Sequence, residues 1–149
     1  MHYMASAPVR RLQSPRSRVL TERGLRFVSD RHLATLSTIG PQGGLHVVAV
    51  GFTYVDGVVR IITSGGSQKV RNVERDHRAT VAQVSGAEWL SIAGRAVIER
   101  DPDSVDLAVQ LYAERYRQPR ENPTRVVIRI DPEQVLGSAG VWRATPRTS

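Results

Sequence analysis

Ten consecutive residues combine types and spacing that could bind an anion: Thr63-Ser64-Gly65-Gly66-Ser67-Gln68-Lys69-Val70-Arg71-Asn72. They follow the β-like apolar run Val58-Val59-Arg60-Ile61-Ile62 and lead into an expected helix from Ser67 to Arg75. Adjacent glycines let the backbone turn tightly and approach a ligand closely. Ser67 is placed to cap the helix, and the unpaired N–H groups of a first helical turn attract anions. Lys69 is the only lysine among 149 residues, so a compact, flexible ammonium at this turn stands apart from the arginines elsewhere. A strand, a Gly-Gly-Ser turn, a helix start and a lysine together read as a phosphate cradle. The spacing matches neither G-x-x-x-x-G-K-[ST] nor G-x-G-x-x-G. Taken alone, it describes a glycine-rich connection with a surface lysine equally well.

Other reactive side chains organise less. His46 sits on an apolar strand with no second histidine at metal-ligand spacing, so a hydrogen-bonded structural role is its first reading and no metal site is expected. Asp101, Asp103 and Asp106 cluster, but a helix start explains them. Arg115, Arg117 and Arg120 form a basic group near a proline-rich loop; they suit carboxylates as well as they suit a solvated helix face. No G-x-S-x-G elbow is present, and the chain has no cysteine for a nucleophile, a disulfide or a thiolate metal site. No catalytic residue can be named from these patterns.

Bulk composition narrows the class. A hydrophobic fraction of 40% and a charged fraction of 23% suit one globular domain with a real core. No apolar run approaches the roughly 20 residues that span a bilayer, and no apolar stretch follows the N-terminal arginines, so a cytoplasmic protein without a membrane partner is expected. The net charge of +7 raises the question of nucleic acid. The arginines are scattered and aromatics make up only 5%, so no nucleic-acid partner is expected; an anionic small molecule explains the charge as well.

The elements that must position the cradle follow from pattern. Residues 1–17 read as a disordered tail, 18–143 as the folded domain and 144–149 as a second tail. Thr21 is a plausible cap for a short helix, with Leu20 and Leu25 as its staple and Leu25 and Val28 on one face. Leu33 to Ile39 is a strand. Leu45 to Val55 is another, apolar on both faces and therefore expected to be buried on both. Asp56-Gly57 signals a two-residue hairpin into the strand Val58 to Ser64. Ala79 to Ser85 and Trp89 to Arg100 follow as strands. A helix capped by Asp101 runs to about Arg117, with Val105, Leu107, Ala108, Leu111 and Tyr112 on its apolar side. Arg125 to Ile130 is a strand, Pro132 to Leu136 a turn or short helix, and Gly137 to Trp142 a last short strand. The spacing argues for a mainly β protein with a few helices, an antiparallel barrel or sandwich of six to seven strands.

The runs Leu33–Thr38, His46–Phe52 and Ile61–Lys69, continued through Gln83–Ser91, Arg115–Arg120 and Val135–Ala139, resemble the flavin- and deazaflavin-binding split barrels, the pyridoxamine 5′-phosphate oxidase-like proteins. Within them the resemblance is to the actinobacterial coenzyme F420-dependent biliverdin reductases, and it covers roughly Thr21 to Ala139. It implies a homodimer of split β-barrels with two cofactor sites at the subunit interface. His46, Val47, Val48, Ala49 and Val50 would lie along the deazaflavin ring. Thr63, Ser64, Gly65, Gly66, Ser67, Gln68, Lys69 and Asn72 would hold the ribityl phosphate. Gln83 and Trp89 would contribute near the ring or from the partner subunit. The activity implied is hydride transfer from reduced coenzyme F420 to an electrophilic carbon, with the tetrapyrrole biliverdin as substrate and bilirubin as product. The alternatives within the family are an FMN-dependent oxidase or reductase and a non-catalytic carrier of F420 or flavin.

Overall fold

The computed structural model describes residues 18–144; the tail expected over 1–17, and all but Ala144 of that expected over 144–149, lie outside the described residues. The elements run β1 (Arg18–Leu20), α1 (Glu22–Ser29), β2 (Ala34–Ile39), β3 (Leu45–Val50), β4 (Thr53–Val55), β5 (Val58–Ser64), α2 (Gln68–Arg75), β6 (Arg78–Ser85), β7 (Glu88–Glu99), α3 (Pro102–Arg115), β8 (Arg125–Gly137) and β9 (Trp142–Ala144). Local signals account for several boundaries. The Thr21 hydroxyl accepts the Gly24 N–H at the start of α1, and the Asp101 carboxylate accepts the Ser104 N–H at the start of α3, with Pro102 behind it. Asp56 and Gly57 both take positive φ, 54° and 74°, which is the two-residue turn that joins β4 to β5. Among the described residues no helix is long and apolar enough to cross a membrane.

Seven strands form one antiparallel sheet in the order β3-β2-β6-β7-β8-β5-β4, while β1 and β9 pair separately. β3 and β4 are the two edges of that sheet, yet only Gly51 and Phe52 separate them in the chain. The sheet must therefore roll until its edges meet, and no ladder joins them where they do. The result is a split barrel with a seam at Gly51–Phe52. Alternate residues of the strands fill it, Leu36, Ile61, Val81, Ile92, Ile128 and Ile130 all being fully buried. α2 packs on β2 and β7, and α3 on β4, β5 and β8.

Three expectations are corrected. Leu45 to Val55 is not one strand buried on both faces: it breaks at the seam, and β3 is an edge strand whose outward row leaves Leu45 76% and Val47 54% exposed. Pro132 to Leu136 is neither a turn nor a short helix, because β8 continues through it to Gly137. Proline has no N–H for a ladder, and the β7–β8 register shifts between Ala93 and Gly94, opposite Pro132, to accommodate it. Finally, each helix buries only part of its expected apolar face. α1 buries Gly24, Phe27 and Val28 and leaves Leu25 exposed; α3 buries Ala108 and Arg115 and leaves Leu107 exposed.

The bulge sets a sharp steric demand. A Cβ on Gly94 would stand 2.0 Å from the Asp131 carbonyl oxygen, a main-chain atom that cannot swing away. Gly94→Ala is expected to cost about 3 kcal/mol and to lower the melting temperature by roughly 10 °C, read by circular dichroism.

Candidate functional site

The end of β3 at the seam and the end of β5 border a cavity of about 340 Å³, within the usual range for a small-molecule site. One wall is apolar and comes from Ala49, Val50 and Gly51 at the end of β3, with Ile62 of β5. The opposite end is polar: Thr63 and Ser64 finish β5, Lys69 comes from the first turn of α2, and Asn122 and Arg125 come from the entry to β8. Tyr112 of α3 and Pro119 complete the lining.

The polar end is built by chain pairing. β5 and β8 run side by side with Ser64 opposite Arg125, so the start of β8 is delivered to the Gly65–Gly66 turn. The Gly65 N–H donates to the Thr124 carbonyl at 2.8 Å, and Asn122 Nδ2 donates to Ser64 Oγ at 2.9 Å. Asn122 Oδ1 accepts from the Thr124 N–H and hydroxyl, which fixes the amide orientation. Arg125 donates to the Arg120 carbonyl at 2.6 Å.

Charge is unbalanced here. The cavity is lined by Lys69 and Arg125 and by no aspartate or glutamate. Neither cation takes part in an ion pair among the described residues. Burial pushes the Lys69 ammonium below its ordinary value, so the charged form lacks the compensation it would have in water. Ser67 occupies the cap position of α2 but makes no side-chain capping bond, contrary to expectation; its hydroxyl lies 3.5 Å from that of Thr63. The first turn of α2 is therefore not closed by its own cap, and a ligand phosphate would complement both it and the two cations.

The residues singled out from sequence separate clearly. Ala49, Val50, Thr63, Ser64 and Lys69 line the cavity, with Gly65, Gly66, Ser67 and Gln68 in the connecting turn and first turn of α2. Gln68 and Gly66 are engaged locally, both accepting hydrogen bonds from Arg71. Val47 belongs to the exposed row of β3, while Val48 packs against the core. His46 is opposite Thr38 and half-buried, with Nδ1 buried and without a hydrogen-bond partner. Asn72 is fully buried: Nδ2 donates to Thr38 Oγ1, and Oδ1 accepts from Gln68 and Arg75, so the amide ties α2 to β2. Gln83 is also buried, its Nε2 donating to the Phe27 carbonyl and its Oε1 accepting from Arg115. Trp89 is 41% exposed, on the outside of β7. Arg115 is buried rather than grouped with the exposed Arg117 and Arg120.

Asn122, Arg125 and Tyr112 line the cavity and were not picked out from the sequence. The Asn122-Pro123-Thr124 turn before an apolar strand was visible, but its contact with the cradle depends on the β5–β8 register.

Comparison with known proteins agrees with this architecture. The sequence profile of the pyridoxamine 5′-phosphate oxidase family matches residues 20–139. An F420H(2)-dependent biliverdin reductase of Mycobacterium tuberculosis is 51% identical over 122 residues, covering 80% of this chain and 89% of that protein. A conserved hypothetical protein of the same species has a crystal structure with TM-score 0.70 and 27% identity, covering 81% of this chain and 86% of the other. An F420 reductase structure has TM-score 0.64 at 22% identity, covering 74% and 94%, which supports the fold.

Proposed function

Since this chain belongs to the pyridoxamine 5′-phosphate oxidase family, we propose that its seam cavity binds coenzyme F420 and that the protein is an oxidoreductase, reducing biliverdin to bilirubin. The observation that carries the reading is the pair Lys69 and Arg125, unbalanced by any carboxylate, at one end of a cavity whose other end is an apolar strand. That division matches a ligand with a phosphate at one end and a planar ring at the other. The 51% identical relative is F420-dependent and acts on biliverdin, which selects the deazaflavin and the substrate.

When bound, the reduced deazaflavin supplies a hydride to an electrophilic carbon; for biliverdin this is the central methine, and a proton must reach a pyrrole nitrogen. The protein's share is placement. Lys69, Arg125, Ser64 and Asn122 hold the phosphate end by charge and hydrogen bonding. The Ala49–Gly51 wall, at the end of the edge strand β3, receives the ring and excludes water.

The active unit in this reading is a dimer. Residues opposite one another on adjacent strands share a face, and Ala49, Thr35, Ala82, Ser91 and Leu136 form one outward row across five strands. Val47, Ser37, Thr80 and Ala93 form the next. These mostly small, uncharged side chains make an outward face rimmed by exposed Leu45, Val84 and Trp89, and a second copy fits it best. Ala49 belongs both to this face and to the cavity lining, so the copy that covers the face also closes the cavity.

Fluorescence titration with F420 and, separately, FMN tests the cofactor. Tight F420 binding followed by anaerobic conversion of biliverdin to bilirubin by the reduced cofactor is the expected result. Tight binding of FMN alone would keep the fold and discard the biliverdin assignment.

A further inference from the structure

Side chains hold the seam where the sheet offers no ladder. Arg115, the last residue of α3, is only 9% exposed. Its guanidinium donates to the Asp30 carbonyl at 2.9 Å, the Phe52 carbonyl at 2.5 Å and Gln83 Oε1 at 2.7 Å. These acceptors lie at the end of α1, at the seam and on β6. The same group lies 4.6 Å from the Phe52 ring centre and 5.0 Å from that of Tyr116. It forms no ion pair among the described residues.

Tyr116 grips the same residue from its other side. Its hydroxyl accepts the Phe52 N–H at 3.2 Å and donates to the His32 carbonyl at 2.7 Å. Tyr112, one turn back, stacks against Tyr116 with ring centres 4.8 Å apart, and it lines the cavity. Gly51 admits both rings, since a Cβ there would stand 3.1 Å from each.

A buried cation held by carbonyl and amide oxygens, with no carboxylate in contact, is an expensive fastening, and apolar packing alone would not need it. A guanidinium does supply several donors in one rigid plane, enough to satisfy carbonyls from three separate elements at once. Two of the three acceptors are main-chain oxygens beyond the reach of any strand ladder.

We propose that Arg115 and Tyr116 are positioning residues for the cofactor cavity: by fixing both sides of Phe52 at the seam, they set the Ala49–Gly51 wall on which the ring lies. The proposal rests on the cofactor reading given above. Tyr116→Phe is the informative change, because it keeps the ring that packs on Arg115 and Tyr112 and removes only the hydroxyl. We expect the dissociation constant for F420 to rise about tenfold, the loss of roughly one positioned hydrogen bond. The absorbance spectrum of the bound cofactor should shift, the Phe52 amide should exchange faster with deuterium, and the melting temperature should fall by only a few degrees. Arg115→Lys, which reaches one acceptor in place of three, should weaken binding further in its folded fraction. If Tyr116→Phe binds F420 with unchanged affinity and spectrum, the positioning role is wrong. If the parent protein binds neither F420 nor FMN, the cofactor reading itself falls and takes this proposal with it.

Discussion

Lys69→Ala is expected to weaken F420 binding about a hundredfold while the melting temperature stays within a few degrees of the parent. A hydrogen-bonded contact between charged partners contributes up to about 3 kcal/mol, and that much corresponds to about two decades in the dissociation constant. The fold should tolerate the change because Lys69 is half-exposed and makes no ion pair among the described residues. Its charge is partly desolvated without compensation, which is a cost to the unliganded protein that a bound phosphate would offset. Two opposite pH dependences follow. The unfolded chain keeps the lysine proton up to the ordinary value of 10.5, whereas the folded chain releases it sooner. Between those points the unfolded state binds more protons, so stability of the unliganded protein should rise with pH. Affinity for the anionic cofactor should fall across the same alkaline range, because the ammonium is being lost. Lys69→Ala should flatten both slopes. Isothermal titration and thermal melts at several alkaline pH values read them; parent-like affinity in the variant would remove Lys69 from the site.

How far the site was legible depends on whether its parts are neighbours in sequence. The cradle was, because a strand end, two glycines and a helix start are contiguous from Thr63 to Lys69. Its partners Asn122 and Arg125 were not, because they arrive through pairing of β5 with a strand some sixty residues later. Burial was the second thing hidden. Asn72 and Gln83 look like polar ligand residues in the chain, yet both amides are used inside the fold, and Arg115 looks like one of three surface arginines. A polar side chain on an inward position reads the same whether it meets a ligand or a carbonyl. The apolar texture of β3 was ambiguous in the complementary way: an edge strand with an exposed apolar row has the composition of a strand already in the core. The break at Gly51–Phe52 was half visible, as a glycine in a strand, but its meaning as the seam needs the strand order.

The same ambiguity makes Val47→Asp the other decisive substitution. Val47 is 54% exposed in the isolated chain and stands in the middle of the outward row of the edge strand β3. In the isolated chain an aspartate there would be solvated, so the monomer should still fold cooperatively, melting below the parent only by what the dimer contributes. In a two-fold dimer the substitution occurs twice, and each carboxylate would be placed against small, uncharged side chains such as Ser37, Thr80 and Ala93. Burying an unpaired charge costs several kcal/mol per site. Even about 4 kcal/mol in total would raise the dimer dissociation constant by roughly a thousandfold. Light scattering should then give the mass of one chain where the parent gives two. Because Ala49, two residues on, is shared between this face and the cavity, F420 affinity should collapse with the dimer rather than independently of it. Leu107→Asp, on the exposed side of α3, supplies the contrast: it adds the same charge away from the face and should leave both mass and affinity unchanged. A Val47→Asp protein that remains a dimer and binds normally would place the subunit contact elsewhere and leave the cavity complete within one chain.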